Sequence, residues 1–211
     1  MTDCQEFFEQ LDAECAFLGT ATVRGDRLRR ERDGESREAR LKRLIEWESQ
    51  SASRHSPGPV GAHESLRMAI LQGRDVAEGT PHRGMFQPLV DIGLSADRLK
   101  ATTPDAAKSR FQALAMDKGK LLFGFLDLSV AHLRSVECDR DLTVDKKPAK
   151  LQSQTNTQTS KVRAIAVYDT GIPDNTAHSE AFLIVKHTGT KPYKTLGADL
   201  FDHYKHRIQR Y

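Results

Sequence analysis

Residues 162–187 read VRAIAVYDTGIPDNTAHSEAFLIVKH. Two runs within it, Val162–Asp169 and Ser179–His187, are rich in Val, Ile, Phe and Tyr, residue types that pack well on a pleated surface. Between them, GIPDNTA supplies Gly, Pro, Asp and Asn, which reverse a chain by positive φ, fixed φ or local hydrogen bonding. The stretch predicts an antiparallel hairpin of two central strands.

The flanking sequence supplies material to extend and cover such a sheet. Residues 120–128 contain FGFLDL and read as a strand; the following SVAHLRSV fits either its continuation or a helix nucleated at Ser129. Leu142–Val144 reads as a further short strand, and DKKPAKLQSQTNTQTSK, residues 145–161, as an exposed polar loop. Thr103 offers an N-cap, Pro104 takes the first helical position, and Phe111 with Leu114 forms an apolar stripe before Gly119. Residues 62–78 predict a short helix through Leu66, Ala69, Ile70 and Gly73. Leu196, Leu200, Tyr204, Ile208 and Tyr211 recur at helical spacing, predicting a C-terminal helix over 195–211 that docks on the sheet. Lys205, His206, Arg207 and Arg210 near its end complement the helix dipole. The whole predicts an α+β fold: a small mixed, largely antiparallel sheet flanked by helices, with an N-terminal helical appendage.

That appendage has a different texture. Thr2 and Gln5 form a capping box ahead of a helix through Gly19, with Cys4, Phe8, Leu11, Cys15 and Leu18 on one face. Arg24–Arg43 then carries eight arginines and one lysine against five acids, with few apolar residues to build a core. Arg27 with Glu31, Arg29 with Asp33 and Glu38 with Lys42 have helical ion-pair spacing. Leu41, Leu44, Ile45 and Glu48, with Trp47 beside them, give only the end of this arm a packing face. SQSASRHSPGPVG, residues 49–61, combines turn formers with two prolines, so the chain divides into a charged helical arm and linker, 1–60, and an α+β domain, 61–211.

Composition bounds the function class. With 211 residues, 38% hydrophobic and 29% charged, the chain supports one ordinary core. Mean hydropathy of −0.57 and apolar runs far shorter than the roughly 20 residues of a membrane span exclude an integral membrane protein. The opening MTDCQEFFEQ lacks a secretory signal's basic and apolar regions, and three cysteines form neither zinc spacing nor a disulfide framework; a cytoplasmic location is expected. A net charge of +3 is too mild to diagnose nucleic-acid binding, and no metal or cofactor site is read from the spacing.

Three groups of residues carry chemical interest. His178 and Glu180 alternate onto one strand face, and a histidine with a carboxylate suits proton transfer, making them candidate catalytic residues. Arg98 and Arg83 suit bidentate anion binding, and Ser95 either caps a helix or donates to a phosphate. No phosphate-cradling glycine loop accompanies them. Arg24, Arg27, Arg29, Arg30, Arg37 and Arg40 are candidate partner contacts on the arm. LSADR, the Thr-Pro helix start and AHSE together resemble small uncharacterised bacterial proteins with LSxxR and AHxE-like elements; the resemblance spans about residues 82–187, excludes the arm and the polar insertion, and implies no activity.

The expectation is therefore a bacterial macromolecular interaction or regulatory protein that presents its charged arm to a protein partner, with nucleic acid a weaker candidate because acids interrupt the basic track. The alternative is a small enzyme acting on a nucleotide, phosphorylated or nucleic-acid substrate, with Arg98 holding the anion and His178 and Glu180 moving protons.

Overall fold

A computed structural model describes residues 1–19, 24–139, 161–185 and 191–211. In chain order the elements are helices α1 (Asp3–Leu18), α2 (Arg24–Leu28) and α3 (Arg37–Trp47), then strands β1 (Ser65–Leu71), β2 (Val76–Ala77) and β3 (Thr80–Pro81). A 3-10 turn (Arg83–Phe86), α4 (Pro88–Asp91), β4 (Leu94–Arg98), α5 (Pro104–Asp117), β5 (Leu122–Ser129) and α6 (Val130–Ser135) follow. The chain continues through β6 (Glu137–Asp139), β7 (Lys161–Arg163), β8 (Ile165–Tyr168), β9 (His178–Leu183), α7 (Lys191–Tyr204), a second 3-10 turn (Lys205–Arg207) and β10 (Gln209–Arg210).

Six strands form one sheet in the order β10-β5-β1-β4-β9-β8, and every pairing in it is antiparallel. The hairpin expected from residues 162–187 is β8 and β9, with Val167 opposite Ala181 and Ile165 opposite Leu183. β8 lies at one edge of the sheet, whereas β9 is interior. Both faces are covered. One packs Leu66, Met68, Ile70, Leu126, Val167 and Leu183 against Phe86, Leu89, Leu133, Leu200 and Tyr204 from the 3-10 turn, α4, α6 and α7. On the other, α5 sets Ala107, Phe111 and Ala115 on Ala69, Leu71 and Phe125, and the N-terminal helices set Phe8, Leu44 and Trp47 on Ala166, Tyr168 and Phe182. At about 25 cal/mol per Å², burial of this apolar surface is the main stabilising term.

Two predicted elements differ, and one open alternative is resolved. Residues 65–71 are a strand, not part of a helix. In SLRMAIL, alternation shows only at Arg67; with helices on both faces, apolar residues fall at odd and even positions and blur the period. The ambiguous SVAHLRSV is helix α6, capped by Ser129, whose hydroxyl accepts from the His132 amide. The C-terminal helix stops at Tyr204, because residues 209–210 pair with Phe125 and Gly124 as an edge strand. The short strand predicted at 142–144 and the polar loop predicted at 145–161, except Lys161, lie outside the described residues.

The N-terminal helices form as their caps dictate. Thr2 and Gln5 make the reciprocal capping box of α1, Gly19 closes it in the left-handed region, and Ser36 caps α3. These helices lie on the sheet: Phe8 meets Tyr168 in a tilted ring contact at 5.1 Å, and Tyr168 donates its hydroxyl hydrogen to the Leu44 carbonyl at 2.8 Å.

Candidate functional site

The ladder between β1 and β4 is short. It holds only Leu66 opposite Arg98 and Arg67 opposite Asp97. Beyond them, continuing the register would set Ala69 against Ser95, but the strands part and other groups occupy the backbone of β1. Arg74 Nη2 donates to the Ala69 carbonyl at 3.2 Å, and Asp75 Oδ2 accepts from the Leu71 amide at 2.9 Å. Buried backbone groups require partners, so the Arg74–Asp75 pair substitutes for the missing neighbour.

The opening is a cleft of about 420 Å³, within the range that encloses small ligands. Ala69, Leu94 and Ala96 line it from the strands, Phe111 and Leu114 from α5, and Ile92 and Ile172 from the adjoining loops. Arg74, Ser95, Asp97, Arg110, Lys118, Asp174, Asn175 and His178 add polar groups to this apolar lining.

Its polar groups are mostly held from behind. Asp97, 2% exposed, accepts from Arg110 Nε at 3.0 Å, Arg110 Nη2 at 2.7 Å and Asn175 Nδ2 at 2.6 Å. Arg110 Nη2 also donates to Thr102 Oγ1 at 2.6 Å. Arg74 is braced in the same way: its Nε and Nη2 donate to Asp75, itself 1% exposed. Both guanidinium groups thus use Nε and Nη2 on a buried carboxylate, and neither makes a hydrogen bond through Nη1 among the described residues. Lys118, exposed beyond the end of α5, adds a positive charge.

The structure brings two sequence candidates together and separates the rest. Ser95 and His178 line this cleft, with Ser95 exposed on β4 rather than capping a helix. Strand alternation puts Arg98 on the opposite face. There it is 4% exposed and bound to Glu64 at 2.8 and 2.9 Å and to the Gly58 and Pro59 carbonyls. Arg98 and His178 therefore do not share a pocket. Glu180 shares a strand face with His178 as expected, but it is 6% exposed and bound to Arg24 Nη2 at 2.5 Å, a position that removes it from solvent-facing proton transfer. Arg83 lies in a separate cavity of about 340 Å³ with Phe86, Leu89 and Leu196.

Of the six arm arginines expected to face a partner, Arg24, Arg29 and Arg40 turn inward, whereas Arg27 stays partly exposed. Arg24 joins Asp12 of α1 to Glu180 of β9; burial opposes its charge, yet Glu180 and then Asp12 outweigh this and raise its pKa. Arg29 donates to the Leu183 carbonyl at 3.0 Å and pairs with Asp26, and Arg27 pairs with Glu14. Arg40 is fully buried and donates to the Arg29 carbonyl at 2.8 Å; burial lowers its pKa. Arg37 is half-buried and Arg30 exposed.

Sequence reasoning missed Arg74, Arg110, Lys118 and Asn175 as site residues. Asp97 stood within the LSADR cluster, and reading that stretch as a strand would have aligned it with Ser95 on one face. The others have no local signal: three separate segments reach the cleft only when the sheet forms. Among the described residues, no helix is long and apolar enough to cross a membrane, and no group of three metal-ligating side chains converges. Comparison of the chain with protein-family models, curated proteins and solved structures found no match in any of the three.

Proposed function

We propose that this protein binds a small amphipathic anion in the cleft between β1 and β4. The observation that carries the reading is the pair of braced arginines, Arg74 and Arg110, at the walls of a cleft whose lining is part apolar and part polar. A buried carboxylate fixes each planar guanidinium before a ligand arrives, which reduces the ordering penalty of binding. Phe111, Leu114, Ile92 and Ile172 suit an apolar body.

The charge balance favours a monoanion over a polyphosphate. Arg74, Arg110 and Lys118 oppose Asp97 and Asp174 along the lining, and Asp75 lies behind Arg74. A carboxylate is therefore a better match than a nucleoside triphosphate, which calls for a glycine-rich cradle or a stronger positive field. The reading replaces an enzyme acting through Arg98 with His178 and Glu180, whose parts lie in different environments. It also takes precedence over the interaction arm, because Arg24, Arg29 and Arg40 are engaged within the fold.

Calorimetric titration of the full chain with phenylpropanoate and its primary amide tests this. The carboxylate binds and the amide binds at least about tenfold more weakly, as expected for loss of a charge-assisted hydrogen bond. Arg74→Gln reduces that preference. Equal affinity for acid and amide, or absence of binding by both, overturns the reading.

A further inference from the structure

The cleft offers acceptors as well as donors. Arg74 supplies a donor group beside Ala69, whereas Arg110, Asn175 and His178 gather around Asp97. The His178 Nδ1 lies 3.0 Å from the Thr170 carbonyl oxygen and 3.0 Å from Thr170 Oγ1. A carbonyl only accepts, so in the neutral ring the hydrogen resides on Nδ1 and Nε2 bears a lone pair.

Asp97 does not compete as an acceptor, since Arg110 and Asn175 already hold it through three hydrogen bonds. The Asn175 amide is oriented by the same logic: a carboxylate facing it demands Nδ2, which places Oδ1 away from Asp97. The remaining acceptors at this end are His178 Nε2, Asn175 Oδ1, which has no hydrogen-bond partner among the described residues, and the exposed Asp174 carboxylate, and all three residues line the cleft.

We propose that the His178 end recognises a hydrogen-bond donor, so that the ligand is a bifunctional acid with a hydroxyl or ammonium group opposite its carboxylate. This rests on the anion-binding reading and adds the ligand's second functional group. Ser95 and Asp97 mark the two ends along β4, two residues or roughly 7 Å apart. That spacing suits a carboxylate and donor separated by a short chain or one aromatic ring.

Titration calorimetry with phenylpropanoate and its para-hydroxy and para-aminomethyl derivatives separates the possibilities. At least one derivative is expected to bind about tenfold tighter than the parent acid, the scale of one satisfied hydrogen bond in a desolvated site. His178→Phe is expected to bring the derivative-to-parent affinity ratio within twofold of unity. Asp174→Ala, at an exposed position, lowers that ratio for the ammonium compound and leaves it for the hydroxyl compound. Parent binding without any derivative advantage overturns the donor inference while leaving the anion reading intact; an advantage that survives both substitutions also overturns it. No binding of any of the three acids overturns both.

Discussion

The N-terminal arm and the cleft handle charge in opposite ways. The arm concentrates eight arginines between residues 24 and 43, and its innermost ones terminate on carboxylates or carbonyls of the same molecule. The cleft has fewer charges, but two of its guanidinium groups retain a nitrogen without a hydrogen bond among the described residues. The arm also leaves Arg24 Nε and Arg40 Nε and Nη2 unpaired among the described residues, but these are buried, so an unpaired nitrogen at the wall of a cavity marks the candidate site.

The sharpest test of the arm as an integral layer is its aromatic anchor. Trp47 is 2% exposed, meets Phe7 in a tilted ring contact at 5.1 Å and carries Arg43 over its ring at 4.7 Å. Trp47→Ala is expected to destabilise the whole protein by about 4 kcal/mol, measured by urea unfolding with a single transition. Loss of only the arm's helical signal, with the sheet melting unchanged, would separate the two regions.

Two arginines of the arm sharpen the contrast further. Arg24→Met leaves Glu180 buried without its cation and is expected to lose about 3 kcal/mol. Arg40→Met removes a fully buried cation whose Nε and Nη2 have no hydrogen-bond partner among the described residues; its stability is expected to change by no more than about 1 kcal/mol. Equilibrium unfolding of both variants side by side checks the difference, and equal losses contradict it.

Acid acts on the arm through Glu35. Hydrogen bonding from Arg43 outweighs burial and draws the Glu35 carboxyl down from 4.5 to about 2. A carboxyl with a depressed folded-state pKa stabilises the protein above its unfolded value, so this contribution is present above pH 4.5 and is lost as the pH falls toward about 2. Glu35→Gln is expected to flatten the fall in urea midpoint between these limits. An unchanged pH slope would show that Arg43 does not favour the ionised form.

The smallest expected effect belongs to the cleft. Lys118 is exposed and pairs with no buried carboxylate among the described residues, so Lys118→Ala is expected to leave the melting temperature within about 2 °C while weakening phenylpropanoate binding a few-fold. Substantial unfolding by this variant would assign Lys118 to the fold instead of the site.

Much of the fold was legible because local patterns and tertiary demands agree. Thr2 with Gln5 and Thr103 with Pro104 announce helices whose caps form as written. The β8–β9 hairpin follows from its apolar runs and the intervening turn. Burial on two faces hid β1, and pairing with β5 converted the expected end of the last helix into β10. Site chemistry was less legible. His178 and Ser95 were recognised individually, but Arg98 has the same apparent chemistry as Arg110 and differs because strand parity sends it to the other face.

By itself, the sequence determined the element types with strong caps or uninterrupted apolar runs, together with an α+β class, since these depend on neighbours a few positions away. Tertiary structure decided which arginines are consumed and which remain available, because each answer depends on a carboxylate or carbonyl that is distant in sequence and adjacent only in the folded chain. It also opened β1 from β4, an event set by Arg74 and Asp75 capturing backbone groups that a regular sheet would have paired.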